Sequence, residues 1–164
     1  MTEDQGYKVS VDVETREEET DLYDMSFFLS GNEAKAPKEK AIITRRFKDQ
    51  NGEPIPFVFQ AISTERIEDL QKFHTKTITK GKRRGQKDFD NERFSAAIAV
   101  ESTIYPKFSD AKILKSYGTQ DAITAAKKML SIGGEYSNWI DRAMLVNGYG
   151  EESEDVQDEE AAKN

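Results

Sequence analysis

The chain has 164 residues, no cysteine, 34% charged residues and a formal net charge of −7. That length suggests one domain. The composition leaves no disulfide or thiolate metal site, and no apolar run approaches the roughly 20 residues of a membrane-spanning helix. The acidity is segregated: residues 1–24 carry nine acids against two bases, and residues 151–164 carry seven against one, while residues 25–150 are net +6. Runs of like charge repel and bury little, so both ends are expected to be disordered acidic tails flanking a mildly basic domain at 25–150. Such tails keep a protein soluble; alternatively, one folds back on the basic body and competes with an outside partner. The acidic N-terminus lacks the basic-then-apolar plan of a secretory signal, so a cytoplasmic location is expected.

In chain order, Tyr7, Val9, Val11 and Val13 alternate with polar residues, which fits either an edge strand or disorder. Residues 24–31 predict one or two helical turns carrying Phe27 and Phe28 and closed by Gly31. Ala41, Ile43, Arg45 and Phe47 alternate, as do Ile55, Phe57, Phe59 and Ala61, with Asn51-Gly52 between the runs. That pattern predicts a β-hairpin at 40–62. Pro54 and Pro56 lack an amide proton and suggest that its second strand begins at a sheet edge.

Ser63 predicts a helix cap, with Ile67, Leu70, Phe73 or His74, and Ile78 at helical spacing. A basic loop follows at 76–87, holding Lys76, Lys80, Lys82, Arg83, Arg84 and Lys87 with no acid among them. Asp88 or Asp90 caps the next helix, which turns Phe94, Ala97, Ile98, Val100 and Ile104 inward and stops at Pro106. Three short helices complete the chain: one from about Ser109 to Ser116, one capped by Thr119, and one carrying Tyr136, Trp139, Ile140, Ala143 and Met144. Gly118 and the Gly133-Gly134 pair are expected to close helices in the left-handed conformation. The fold class is α+β: a mostly helical domain with one β-hairpin between acidic tails.

Catalytic chemistry finds little support. His74 is the only histidine and has no nearby mate for metal or nucleophilic work. Glu65, Glu68 and Asp69 sit where they favour a helix N-terminus, as does Glu135. No phosphate-binding loop or dinucleotide fingerprint is present. No catalytic, metal or cofactor residues are assigned. The candidate partner contacts are the aromatics Phe27, Phe28, Tyr136 and Trp139, which fit either a core or a groove for an amphipathic helix, and the basic Lys82, Arg83 and Arg84. The basic loop also fits a solvated connector or phosphate contacts, though no aromatic stands in it for base stacking.

The order of Tyr105-Pro106-Lys107-Phe108-Ser109-Asp110, Tyr117-Gly118, Met129-Leu130 and Gly133-Gly134-Glu135-Tyr136 resembles the XkdN-like bacteriophage tail assembly chaperones over roughly residues 25–147. The resemblance implies a non-enzymatic protein of the host cytoplasm that is absent from the mature virion. It implies binding to the tape measure protein, recruitment of tail tube subunits, and in some members a longer frameshifted form of the same protein. Nucleic acid and membrane are not expected partners. The rival readings are a nucleic-acid-binding regulator using the 76–87 loop and a structural tail component.

Overall fold

The computed structural model describes residues 23–150; the Tyr7–Val13 segment, nearly all of the N-terminal acidic stretch and residues 151–164 lie outside them. Two compact units divide at Lys35. In the first, Asp24 accepts a 2.8 Å bond from the Ser26 amide and starts a single 3-10 turn, Met25–Phe28. Leu29 ends that turn, and Gly31 takes a positive φ of 94° just beyond it.

Among the described residues, the strands and α-helices lie in the second unit. Strand β1 (Glu39–Ala41) pairs antiparallel with β2 (Phe57–Phe59), with Lys40 opposite Val58. The other side of β2 pairs with β5 (Thr103–Tyr105). The predicted hairpin therefore exists, but its second strand is central rather than at an edge. Pro54 and Pro56 both precede the ladder, so neither removes a donor from it. The strand expected through Phe47 stops at Ala41, and the alternation breaks at Thr44, which is buried next to Ile43. Beyond it the chain turns on Asp49, whose carboxylate accepts from the Asn51 and Glu53 amides, and on Gly52 at φ +78°.

Helix α1 (Thr64–Phe73) starts where Ser63 Oγ accepts from the Arg66 amide. It ends sooner than its apolar spacing suggests. Thr75, Thr77, Ile78 and Thr79 are β-branched and lose side-chain freedom in a helix. Residues Thr75–Thr77 instead form strand β3, paired antiparallel with β4 (Lys87–Phe89). The basic stretch is thus the tip and both arms of a second hairpin, closed by mutual backbone bonds around Ile78 and Gln86.

Asp90, rather than Asp88, caps helix α2 (Asn91–Ser102). Pro106 does not terminate this helix: it stops at Ser102, β5 intervenes, and Ile104 is 40% exposed rather than inward. Helix α3 (Ala111–Ser116) is capped by Asp110, and α4 (Ala122–Met129) by Asp121. Thr119 acts one step earlier, accepting from the Asp121 amide. Helix α5 (Gly133–Val146) opens on Gly133 and Gly134, which lie inside its first turn without positive φ; Gly118 does take it, at 62°.

Helix α2 is the centre of the unit. Ala96, Ala97, Ile98 and Ala99 are all buried, and its small side chains admit close neighbours. Between it, α5 and the three-stranded sheet lies an aromatic core. Phe108 meets Trp139 edge-on at 5.1 Å and Phe57 at 6.1 Å. The buried indole Nε1 of Trp139 donates to Thr103 Oγ1 at 2.9 Å, and that hydroxyl donates to the Ala99 carbonyl at 2.7 Å. Asn147, just past α5, accepts from the Ile62 amide and donates to Ser102 Oγ and the Ala143 carbonyl. It ties the start of α1 to the end of α2.

Candidate functional site

Helices α1, α2 and α4 line an open groove of about 510 Å³. Leu70, Ala97, Val100 and Ile123 provide its apolar lining, with Leu70, Ala97 and Ile123 buried. Helical spacing accounts for their convergence: Ala97 and Val100 lie three apart on α2, while Leu70 and Ile123 come from the inward stripes of their own helices.

Charged pairs edge the groove. Arg66 grips Glu101 with two bonds, 2.8 Å from Nε and 2.6 Å from Nη2. Arg93 reaches Asp121 at 3.3 Å. The planar guanidinium suits such paired contacts. Burial pushes the Asp121 carboxyl up, but hydrogen bonds from Thr124 and Arg93 outweigh it and hold the group below its usual range. Asp121 therefore stays charged while it caps α4 and holds Arg93.

Phe73 and His74 end α1 at the groove. The sequence left open which of them faces inward. His74 is 8% exposed and Phe73 78% exposed, the two rings meeting edge-on at 5.1 Å. Burial lowers the His74 pKa, and the nearby Arg93 charge lowers it further, so the neutral imidazole is favoured. The exposed Phe73 ring, the buried apolar lining and the two ion pairs together give the groove an amphipathic surface. The arrangement can take an apolar side chain into the groove and polar flanks along its edges.

A second hollow of about 310 Å³, lined by Phe47, Phe57, Tyr105, Pro106, Ile113 and neighbouring residues, carries no charged side chain. Among the described residues, no group of three or more His, Asp or Glu is placed to hold a metal, and no helix is long and apolar enough to cross a membrane.

Of the residues singled out in the sequence, Tyr136 and Trp139 meet, with ring centroids 5.5 Å apart. Phe27 and Phe28 belong to the first unit, where they are 69% and 83% exposed. Trp139 is fully buried and makes core contacts only, so it offers no surface to a partner. Tyr136 is half-buried, with Lys127 Nζ 5.8 Å from its ring centroid. Lys82, Arg83 and Arg84 are exposed at the β3–β4 tip. Glu135 does lie in the first turn of α5, but its carboxylate receives Arg46 Nε and Nη2, which hold its pKa below the usual value. The groove residues Arg66, Phe73, Arg93, Glu101 and Asp121 were missed. Phe73 stood in the apolar spacing of α1 only as an alternative to His74, and the ion pairs join residues 35 and 28 positions apart and carry no local signal.

Residues 25–163 match the family described as "Phage XkdN-like tail assembly chaperone protein". The phage-like element PBSX protein XkdN of Bacillus subtilis (strain 168) is 44% identical over 149 residues, covering 90% of this chain and 99% of that protein. An uncharacterised protein of the same strain, YqbN, is 45% identical over 144 residues, covering 87% and 95%. A crystal structure of the protein YqbN superposes with a TM-score of 0.68 at 40% identity, covering 78% of this chain and 98% of that one.

Proposed function

Because this chain belongs to the XkdN-like family of phage tail assembly chaperones, we propose that it binds the tape measure protein through the α1–α2–α4 groove and helps recruit tail tube subunits around it. The observation that carries this reading is an apolar groove edged by two ion pairs and an exposed Phe73. A long helical chain with apolar stripes aggregates when those stripes are bare. A partner that covers them and presents charge outward lowers the concentration of free sticky chain by mass action. Each Leu- or Phe-sized side chain buried this way contributes about 1.5–3 kcal/mol, and the ion pairs set the direction in which a helix lies.

The protein then acts in the host cytoplasm, performs no bond-making chemistry and leaves before the virion matures. Co-expression of the tape measure protein with and without this chain tests the reading. The expected result is a soluble complex only when both are present, disrupted when Phe73→Glu is introduced at the exposed rim. Equal solubility of the tape measure protein in both cases rejects it. Mass spectrometry of purified virions checks the second part: stoichiometric amounts of this chain would make it a structural component instead.

A further inference from the structure

The β3–β4 hairpin carries six bases in twelve residues, Lys76, Lys80, Lys82, Arg83, Arg84 and Lys87, all exposed. Among the described residues none of these six takes part in a salt bridge. Arg83 Nε does donate to Gln86 Oε1, and Asp88 is the one acid on the two arms, opposite Lys76. Gly81 and Gly85 hold positive φ on either side of the tip, and the bonds Gly85 N to Ile78 O and Ile78 N to Gln86 O fix its shape. The tip is therefore a defined cationic projection whose charges are left to solvent within the described residues. Six like charges held together repel, and an acidic chain relieves them.

The sequence supplies such a chain. Residues 151–160 contain Glu151, Glu152, Glu154, Asp155, Asp158, Glu159 and Glu160. The described residues end at Gly150, three positions past Asn147, which is bonded to the Ile62 amide, next to the cap of α1. From there the hairpin lies along α1, whose ten residues span about 15 Å, and then along β3, whose three residues span about 10 Å. Fourteen residues from Glu151 to Asn164 reach up to about 45 Å when extended. Charge and reach agree. We infer that the β3–β4 tip is a docking surface for an acidic peptide, and that residues 151–164 of the same chain are its resident occupant, displaced when an acidic segment of another protein binds.

The test uses the full chain and a labelled peptide with the sequence of residues 151–164. In one variant the seven carboxylates of 151–160 become their amides (Glu→Gln, Asp→Asn); circular dichroism and melting confirm that it folds. The neutralised chain is expected to bind the peptide about tenfold more tightly than the unaltered chain, because a tethered competitor acts at about millimolar effective concentration. Lys82→Glu with Arg83→Glu and Arg84→Glu in the neutralised chain should abolish that binding, and raising salt to about 0.5 M should weaken it. Amide resonances of residues 80–86 should shift between the two forms of the tail at low salt only. Equal peptide affinity for both chains overturns the inference, as does failure of the peptide to bind where a DNA duplex does. None of these readouts involves the tape measure protein, so the proposed function and this inference fail separately.

Discussion

Trp139 and Arg83 stand at opposite extremes of how a side chain is held. Around Trp139, helix α5, strand β5 and Phe108 meet, and the indole is both fully covered and hydrogen-bonded. Around Arg83 the backbone bonds run only between residues 78 and 86, and the side chain reaches no farther than Gln86. The first region is fixed by non-local packing, so a change there is felt by several elements at once. The second is fixed by a turn, so its chemistry can change without cost to the fold. A binding protein needs both: a scaffold that resists change and a surface free to carry charge.

Trp139→Ala is expected to have the largest effect, about 3–5 kcal/mol of unfolding free energy in denaturant melts. A loss below about 1 kcal/mol would mean the aromatic core is not the scaffold. Thr103→Val keeps the shape but leaves the buried indole N–H unpaired, an expected loss of about 1–3 kcal/mol. Asn147→Ala removes the clasp between α1, α2 and α5 and is expected to cost about 1–2 kcal/mol, with hydrogen exchange quickening first near Ile62.

His74 lies between these extremes. Its pKa is lowered in the fold, so the unfolded chain binds the proton more readily. Its contribution is present above the ordinary value of 6.5 and is lost as pH falls through the lower folded value. Arg93 and Lys76 oppose its protonation, and Asp90 favours it. Melts at stepped pH should show stability declining below about pH 6.5, and His74→Gln should flatten that decline. The smallest effect belongs to the hairpin tip, where Lys82→Glu, Arg83→Glu and Arg84→Glu together should move stability by no more than about 0.5 kcal/mol.

The same contrast governs what the sequence revealed. Ile123, Ala126, Met129 and Leu130 stand at helical spacing, and all four are buried. The α+β class, the first hairpin and the caps at Ser63 and Asp90 follow from equally local signals. What escaped was decided at a distance. β2 became central only because β5, more than forty residues later, pairs with its free side. Trp139 read as core, with a groove as the alternative, and the meeting with Phe108 and Thr103 decides it. Arg46 and Glu135 lie 89 positions apart, so while Glu135 stands in the first turn as expected, no spacing rule could indicate its partner. One miss was local: the β-branched run 75–79 argued for a strand, and the apolar spacing through Ile78 obscured it.

The groove is the central claim, and hydrogen exchange measures it most directly. The full chain, alone and in complex with the tape measure protein, should show slowed exchange concentrated in residues 66–74, 93–101 and 121–126. A stable complex whose protection falls elsewhere, leaving those three stretches unchanged, would contradict the account.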